Sequence, residues 1–391
     1  MTDDGQTLVV SAQGVGYTMP FATNTLATIP LTGPQTFGRV QYLDGRILTN
    51  EPGTRRFWYS DPFAPATWPA LNFYEAEARA DLLLTLLIDH RELYLFGTQS
   101  IEVWHPTGDS LNPYMRASST FIEQGIAAPW ACVAMQNTVY FLGGSPRGEG
   151  PVWRLEGFAP VRISTHAVES SLSHVTDLSG TEAYTARHGG HSWYFLHVPG
   201  HDTTWAYDVA TQGWTELADL TAEGTLTAWR AGTHCLAFGD HLWGDRTTGH
   251  LYRWRPDWYT HGTDPLYRER ISPHIRNDQQ PVVYHLFELL LETGVGLDGL
   301  ALPGTHEQAG FDPPDGGAQP PGADPQVMLS WSDDGGHSWS HPLWRSAGRI
   351  GERTRLVRWR RLGRAKSQRA FKVVVTDPVF TAILGARLEV S

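Results

Sequence analysis

Four groups of residues in this 391-residue chain have types and spacings suited to chemistry. The first is Ser332-Asp333-Asp334-Gly335-Gly336-His337-Ser338-Trp339, which fits the Asp-box pattern S-x-D-x-G-x-[ST]-W. Its residues suit a tight hairpin: Asp334 accepts backbone N–H bonds, Gly336 takes a positive φ, and Trp339 pins the turn to a sheet. Ser332, Asp334, Gly336 and Trp339 are therefore read as a structural staple. The second group is histidine: His188-Gly189-Gly190-His191, with His197 and His201 nearby. Nothing beside them has the carboxylate or thiolate spacing of a closed metal site, so turn and surface histidines are expected, with no metal and no cofactor. The third group is paired acids, Glu75 with Glu77 and Asp312 with Asp315, which do acid–base work only when a fold brings them into one cleft. No nucleophile elbow, P-loop or dinucleotide fingerprint is present, and Gly14-Val15-Gly16 reads as a hairpin turn. No catalytic residue is assigned, and the chain is read as a non-enzyme.

The fourth group is basic. Between Arg345 and Lys372 lie nine Arg, two Lys and one acid, Glu352, a charge of +10. The chain total is −11, so the remainder carries −21. Within this block Arg353, Arg355, Arg358, Trp359, Arg360, Arg361 and Arg364 form the candidate partner interface. A strand from Leu356 to Leu362 would place Leu356, Arg358, Arg360 and Leu362 on one face and Val357, Trp359 and Arg361 on the other. Neither face is cleanly apolar or basic, so part of this strand is expected to meet a partner. A solvated edge strand and direct phosphate contact are the other two readings.

Positioning such groups requires a scaffold, and the scaffold is legible as a repeat. Short apolar strands begin near Leu8, Ile47, Leu93, Val139, Trp193 and Cys235, at spacings of 39, 46, 46, 54 and 42 residues. Each is followed by a turn and a second aromatic strand, as in Leu93-Tyr94-Leu95-Phe96-Gly97 before Ile101-Glu102-Val103-Trp104. Hairpins recurring at roughly 40–50 residues are the mark of propeller blades. Sixteen Trp suit broad sheets packed face to face, and 40 Gly with 26 Pro supply the turns. A helix over 75–88 competes with a strand from Leu83, and the meander favours the strand. Cys132 and Cys235 sit in apolar runs and are expected to be buried free thiols. No run reaches the ~18 apolar residues of a membrane span, so no membrane insertion is expected. Met1-Thr2-Asp3-Asp4 is unlike a secretory signal.

The expected fold is all-β: a β-propeller-like repeat of antiparallel meanders over 1–260 and an additional C-terminal β domain over 261–391. A Gly/Pro-rich insertion at 298–325 interrupts the second and reads as a mobile loop. Strands are expected at Val282 onward, Val327–Ser332, Leu356–Arg361, Phe371–Thr376 and Ala386–Val390, with a turn from Gly363 to Arg369.

Several ordered motifs resemble one family. They are Thr98-Gln99-Ser100-Ile101-Glu102-Val103-Trp104, Phe121-Ile122-Glu123-Gln124-Gly125-Ile126-Ala127, Arg358-Trp359-Arg360-Arg361-Leu362-Gly363-Arg364, Val373-Val374-Val375-Thr376-Asp377-Pro378 and Gly385-Ala386-Arg387-Leu388-Glu389. Over roughly residues 57–391 the chain resembles the packaged-DNA stabilisation, or tail hub (nozzle), proteins of short-tailed bacteriophages. The resemblance implies a structural virion protein of the tail, assembled in the host cytoplasm. It implies a homo-oligomeric ring, usually of six copies, below the portal and its adaptor. The ring would continue the DNA channel, help retain packaged DNA, and bind a tail needle, spikes or fibres. Double-stranded DNA would pass without sequence-specific binding, which an acidic body favours because tight phosphate binding would stall it. The amino-terminal part looks shorter than in full-length members. A carbohydrate- or receptor-binding propeller, suggested by the Trp content, and an Asp-box sialidase or glycosidase are the alternatives.

Overall fold

The structure is a computed structural model that describes residues 1–77, 79–144, 150–221, 223–262, 264–277, 280–297 and 321–391. Most of the anticipated insertion, with Asp312 and Asp315, lies outside the described residues. The chain is all-β. It divides into two compact units, residues 1–235 with 244–249, and 236–243 with 250–391.

The six strands read from the repeat each fall in a separate sheet. Three of these sheets are four-stranded, two five-stranded and the last three-stranded. The second sheet, Val40–Leu43, Arg46–Asn50, Arg56–Tyr59 and Phe73–Glu75, is a plain antiparallel meander. The third begins with a strand, Leu83–Asp89, and not with a helix. Two-residue turns with positive φ drive these meanders: Asp44 (48°) with Gly45 (79°), His90 (50°) with Arg91 (65°), and Gln136 (51°) with Asn137 (60°). Such turns match the right-handed twist of the strands they join. Gln13 and Gly14 make another between Thr7–Ala12 and Val15–Pro20; of Gly14-Val15-Gly16, read from the sequence as the turn, only Gly14 lies in it, and Val15 and Gly16 already pair in the strand.

Within the first unit the leading strands pack in series. Val40–Leu43 lies against Leu83–Asp89, that strand against Cys132–Met135, and Cys132–Met135 against Glu182–His188. Aromatic pairs bridge successive sheets: Phe57 with Trp104 at 5.2 Å, Phe96 with Phe141 at 5.5 Å, and Tyr140 with Tyr194 at 5.8 Å between ring centroids. This is where much of the aromatic content goes, as wide flat side chains that fill the space between twisted sheets. Cys132 is buried, as expected, and receives Arg39 Nη1 at 3.2 Å on its sulfur. Cys235 is exposed, contrary to expectation. Its strand, Ala231–Ala237, is covered only at its first two residues.

The second unit holds a β-sandwich. Its strands are β1 (Arg268–Ile271), β2 (Ile275–Arg276), β3 (Val282–Leu291), β4 (Gln326–Ser332), β5 (Leu343–Ser346), β6 (Val357–Arg360), β7 (Arg364–Ala365), β8 (Gln368–Val375) and β9 (Ile383–Val390). One sheet runs β1-β8-β4-β5, with β2 also on β8; in the other, β6 and β7 flank β3 on one side and β9 on the opposite side. Tyr284, Phe287, Val327, Leu329, Trp359, Phe371 and Val373 meet in the core between them. The stretch expected as a turn, Gly363–Arg369, contains β7, which bridges to Val282 and Val283 of β3.

Candidate interaction surface

The two strand faces anticipated for 356–362 are resolved by burial. Val357 and Trp359 are 1% and 0% exposed and belong to the sandwich core. Arg358 and Arg360 alternate to the opposite, outer face, as a two-residue period requires. Leu356 does not share a face with Leu362: the former is 58% exposed and the latter 2%. The regular strand ends at Arg360, and Arg361 at φ 59° turns Leu362 into the core. Trp359 is accordingly no docking residue. Its indole Nε1 donates to Leu343 O at 2.8 Å, tying β6 to β5.

The arginines separate into two classes. Arg358, half-buried, donates from Nη2 to Glu288 Oε1 at 3.0 Å, and Glu288 is 5% exposed on the neighbouring β3. Arg369 is 2% exposed and fully engaged. Its Nε and Nη2 donate to the two carboxylate oxygens of Asp333 at 2.7 and 2.8 Å, and Nη1 donates to Leu362 O at 2.6 Å. Its guanidinium carbon lies 4.5 Å from the ring centroid of Tyr284 and 5.2 Å from that of Trp331. Lys372 sits 3.6 Å from Glu269 and 4.5 Å over Trp339. These three cations hold the sandwich together. The rest are solvent-facing: Arg345, Arg349, Arg353, Arg355, Arg360, Arg361, Arg364 and Lys366 are exposed and have no carboxylate partner among the described residues. Trp344, Ile350 and Leu356 stand exposed among them at 51%, 62% and 58%. An apolar-studded, strongly cationic surface of this kind suits a partner with acidic and apolar side chains.

The Asp-box folds as a hairpin staple. Ser332 Oγ donates to Asp334 Oδ1 at 2.7 Å and accepts Gly336 N–H at 2.8 Å; Ser338 N–H donates to Asp334 Oδ1 at 2.9 Å. Bonds from Ser338, and then Ser332, hold the Asp334 carboxyl well below the usual carboxylate range. Gly336 has φ 95°, and Trp339 is half-buried under Lys372. Asp333, at the first variable position of the motif and given no role by it, is the residue that clamps this hairpin to the core through Arg369. The signal was present in the sequence: Arg369, Phe371, Val373 and Val375 alternate on β8, so Arg369 shares the inward face.

The histidines are separately employed. His191 Nδ1 lies 2.8 Å from Asp208 Oδ2, and His201 Nε2 lies 2.6 Å from Ser171 Oγ. Burial, and then the nearby Arg246 charge, lowers His197 to about 4. Among the described residues no group of three His, Cys, Asp or Glu is placed to hold a metal. Glu75 pairs with Arg56 at 2.9 Å, at the end of the second sheet.

Comparison with known families gives two adjoining matches. Residues 1–258 match the model described as bacteriophage P22 Gp10, beta-propeller, and residues 267–391 match bacteriophage P22 Gp10, beta-sandwich. The first match starts at residue 1, ahead of the motifs from residue 57 onward that carried the resemblance. No curated protein matches the chain. Among solved structures it is similar to an auxiliary nutrient binding protein from Bacteroides thetaiotaomicron, with 9% identity, 63% of this chain and 65% of that chain covered, and a TM-score of 0.41. It is also similar to the exo-beta-1,3-galactanase of Phanerochaete chrysosporium, with 8% identity, 96% and 95% covered, and a TM-score of 0.30. A third is the computationally designed Ika8 protein, with 14% identity, 64% and 68% covered, and a TM-score of 0.34. At these scores the solved structures carry no inference about activity.

Proposed function

This chain belongs to the bacteriophage P22 Gp10 family of virion structural proteins, and on that premise we propose that it is a tail hub. Copies associate into a ring below the portal and adaptor, continue the DNA channel and help retain the packaged DNA. Other tail components dock on the assembled ring. The single observation behind the docking role is the solvent-facing arginine block of the sandwich, which stands against a chain that otherwise carries −21. An acidic wall repels a passing duplex, and a run of exposed cations seeks an acidic neighbour.

The test reverses cations that perform no internal task. Arg353→Glu, Arg355→Glu and Arg360→Glu together should leave the fold intact and abolish binding to the portal–adaptor complex or ring formation, as seen by electron microscopy of the mixture. Arg358 is left in place, because its reversal would strand Glu288. Rings that form and bind normally with all three charges reversed would refute the docking role.

A further inference from the structure

The sandwich treats its sheet edges unequally. The β6 edge is closed: Arg345 Nε donates to Arg358 O at 3.1 Å, and Trp359 Nε1 donates to Leu343 O at 2.8 Å. At the other margin of the same sheet, β9 runs from Ile383 to Val390, and among the described residues β3 is its one strand partner. Ile383, Leu384 and Val390 are exposed at 41%, 79% and 49%. The strand contains no Pro and no Lys. Its two charges, Arg387 and Glu389, lie 3.2 Å apart and cancel. A register shift between Gly385 and Ile383 confines the regular stretch of β9 to 385–390, and along it the edge has no Pro, no Lys and no net charge to keep a second strand away.

We infer that β9 pairs antiparallel with β9 of a second copy across a two-fold axis through Leu388. The strand is self-complementary about that residue. In this register Arg387 lies opposite the second copy's Glu389, and Glu389 opposite its Arg387, so two cross-strand ion pairs form on the outer face. On the inner face, where Leu388 packs against the core, Leu388 meets its own counterpart and Ala386 meets Val390. Neighbouring registers that keep each face matched fail on charge. An axis at Arg387 opposes two arginines, and an axis at Glu389 opposes two glutamates. The contact is isologous, whereas a ring closes through head-to-tail contacts. It therefore goes beyond the hub reading and does not depend on it.

The full-length chain tests this by sedimentation equilibrium at micromolar concentration. A monomer–dimer equilibrium is expected, weakened about tenfold by either Arg387→Glu or Glu389→Arg, because each converts both ion pairs into like-charge contacts. The double variant R387E/E389R should restore dimerisation, since the exchanged charges still meet their opposites. Arg387 faces the buried Glu288 of β3, so Arg387→Glu and the double variant should lose some thermal stability, whereas Glu389→Arg, opposite Leu286, should leave the monomer's thermal midpoint unchanged. Independently of any variant, amide exchange within 385–391, the residues that this register pairs, should slow as the concentration of the unaltered chain rises. The triple arginine variant above should still dimerise, which separates this contact from the docking surface. A chain that stays monomeric, single variants without effect, or a double variant that fails to recover would each overturn the pairing.

Discussion

Asp333→Ala should damage the sandwich more than Arg369→Met, although both remove the same ion pair. Arg369 is 2% exposed, whereas the Asp333 side chain is 42% exposed. Removing the acid leaves a buried guanidinium with one hydrogen bond, to Leu362 O, and loses the two it makes to Asp333. Uncompensated buried charge costs about 3–5 kcal/mol. Removing the arginine instead leaves a carboxylate that water can reach. What is lost is then the bond to Leu362 O and the stacking on Tyr284 and Trp331, about 1–3 kcal/mol. The double variant should cost about as much as Arg369→Met alone, because the acid has nothing left to neutralise. The cycle therefore closes with a coupling of about 3–5 kcal/mol. Urea titration with amide exchange read on β4 and β8 isolates the sandwich from the propeller. An Asp333→Ala cost below about 1 kcal/mol, or one smaller than that of Arg369→Met, would refute the reasoning.

Two further outcomes are accessible to simple assays. Burial lowers His197 from its ordinary 6.5 to about 4, so between these values the unfolded chain binds a proton that the folded chain does not. Propeller stability should therefore fall as pH drops from 6.5 towards 4, and His197→Gln should flatten that slope in thermal unfolding; an unchanged slope would count against a neutral, half-buried His197. A thiol reagent should modify Cys235 in the native protein and reach Cys132 only on unfolding, because Cys132 is buried and burial raises its pKa. Equal rates for both would contradict the placement of the two strands.

Local repetition made the fold readable. Six apolar strands with turn residues at near-regular spacing specify hairpins through neighbouring residues alone, so all six sheets and the strand from Leu83 followed from the chain itself. The arginine block was equally visible, since charge needs no folding to be counted. What each arginine does was decided in three dimensions. Arg358 and Arg360 are two residues apart on one strand, yet only Arg358 finds a buried carboxylate, supplied by β3 some 70 residues away. Arg369 is drawn inward because its strand's period puts it there and Asp333, at the end of the adjacent strand β4, neutralises it. Trp359 and Cys235 were misplaced for the matching reason: burial depends on whether a second sheet covers a face, and the residues of one strand do not encode what packs above it. The open edge at β9 belongs to the same class, because a strand's sequence sets its alternation, while the pairing order of the sheet alone determines which strand is left at the margin.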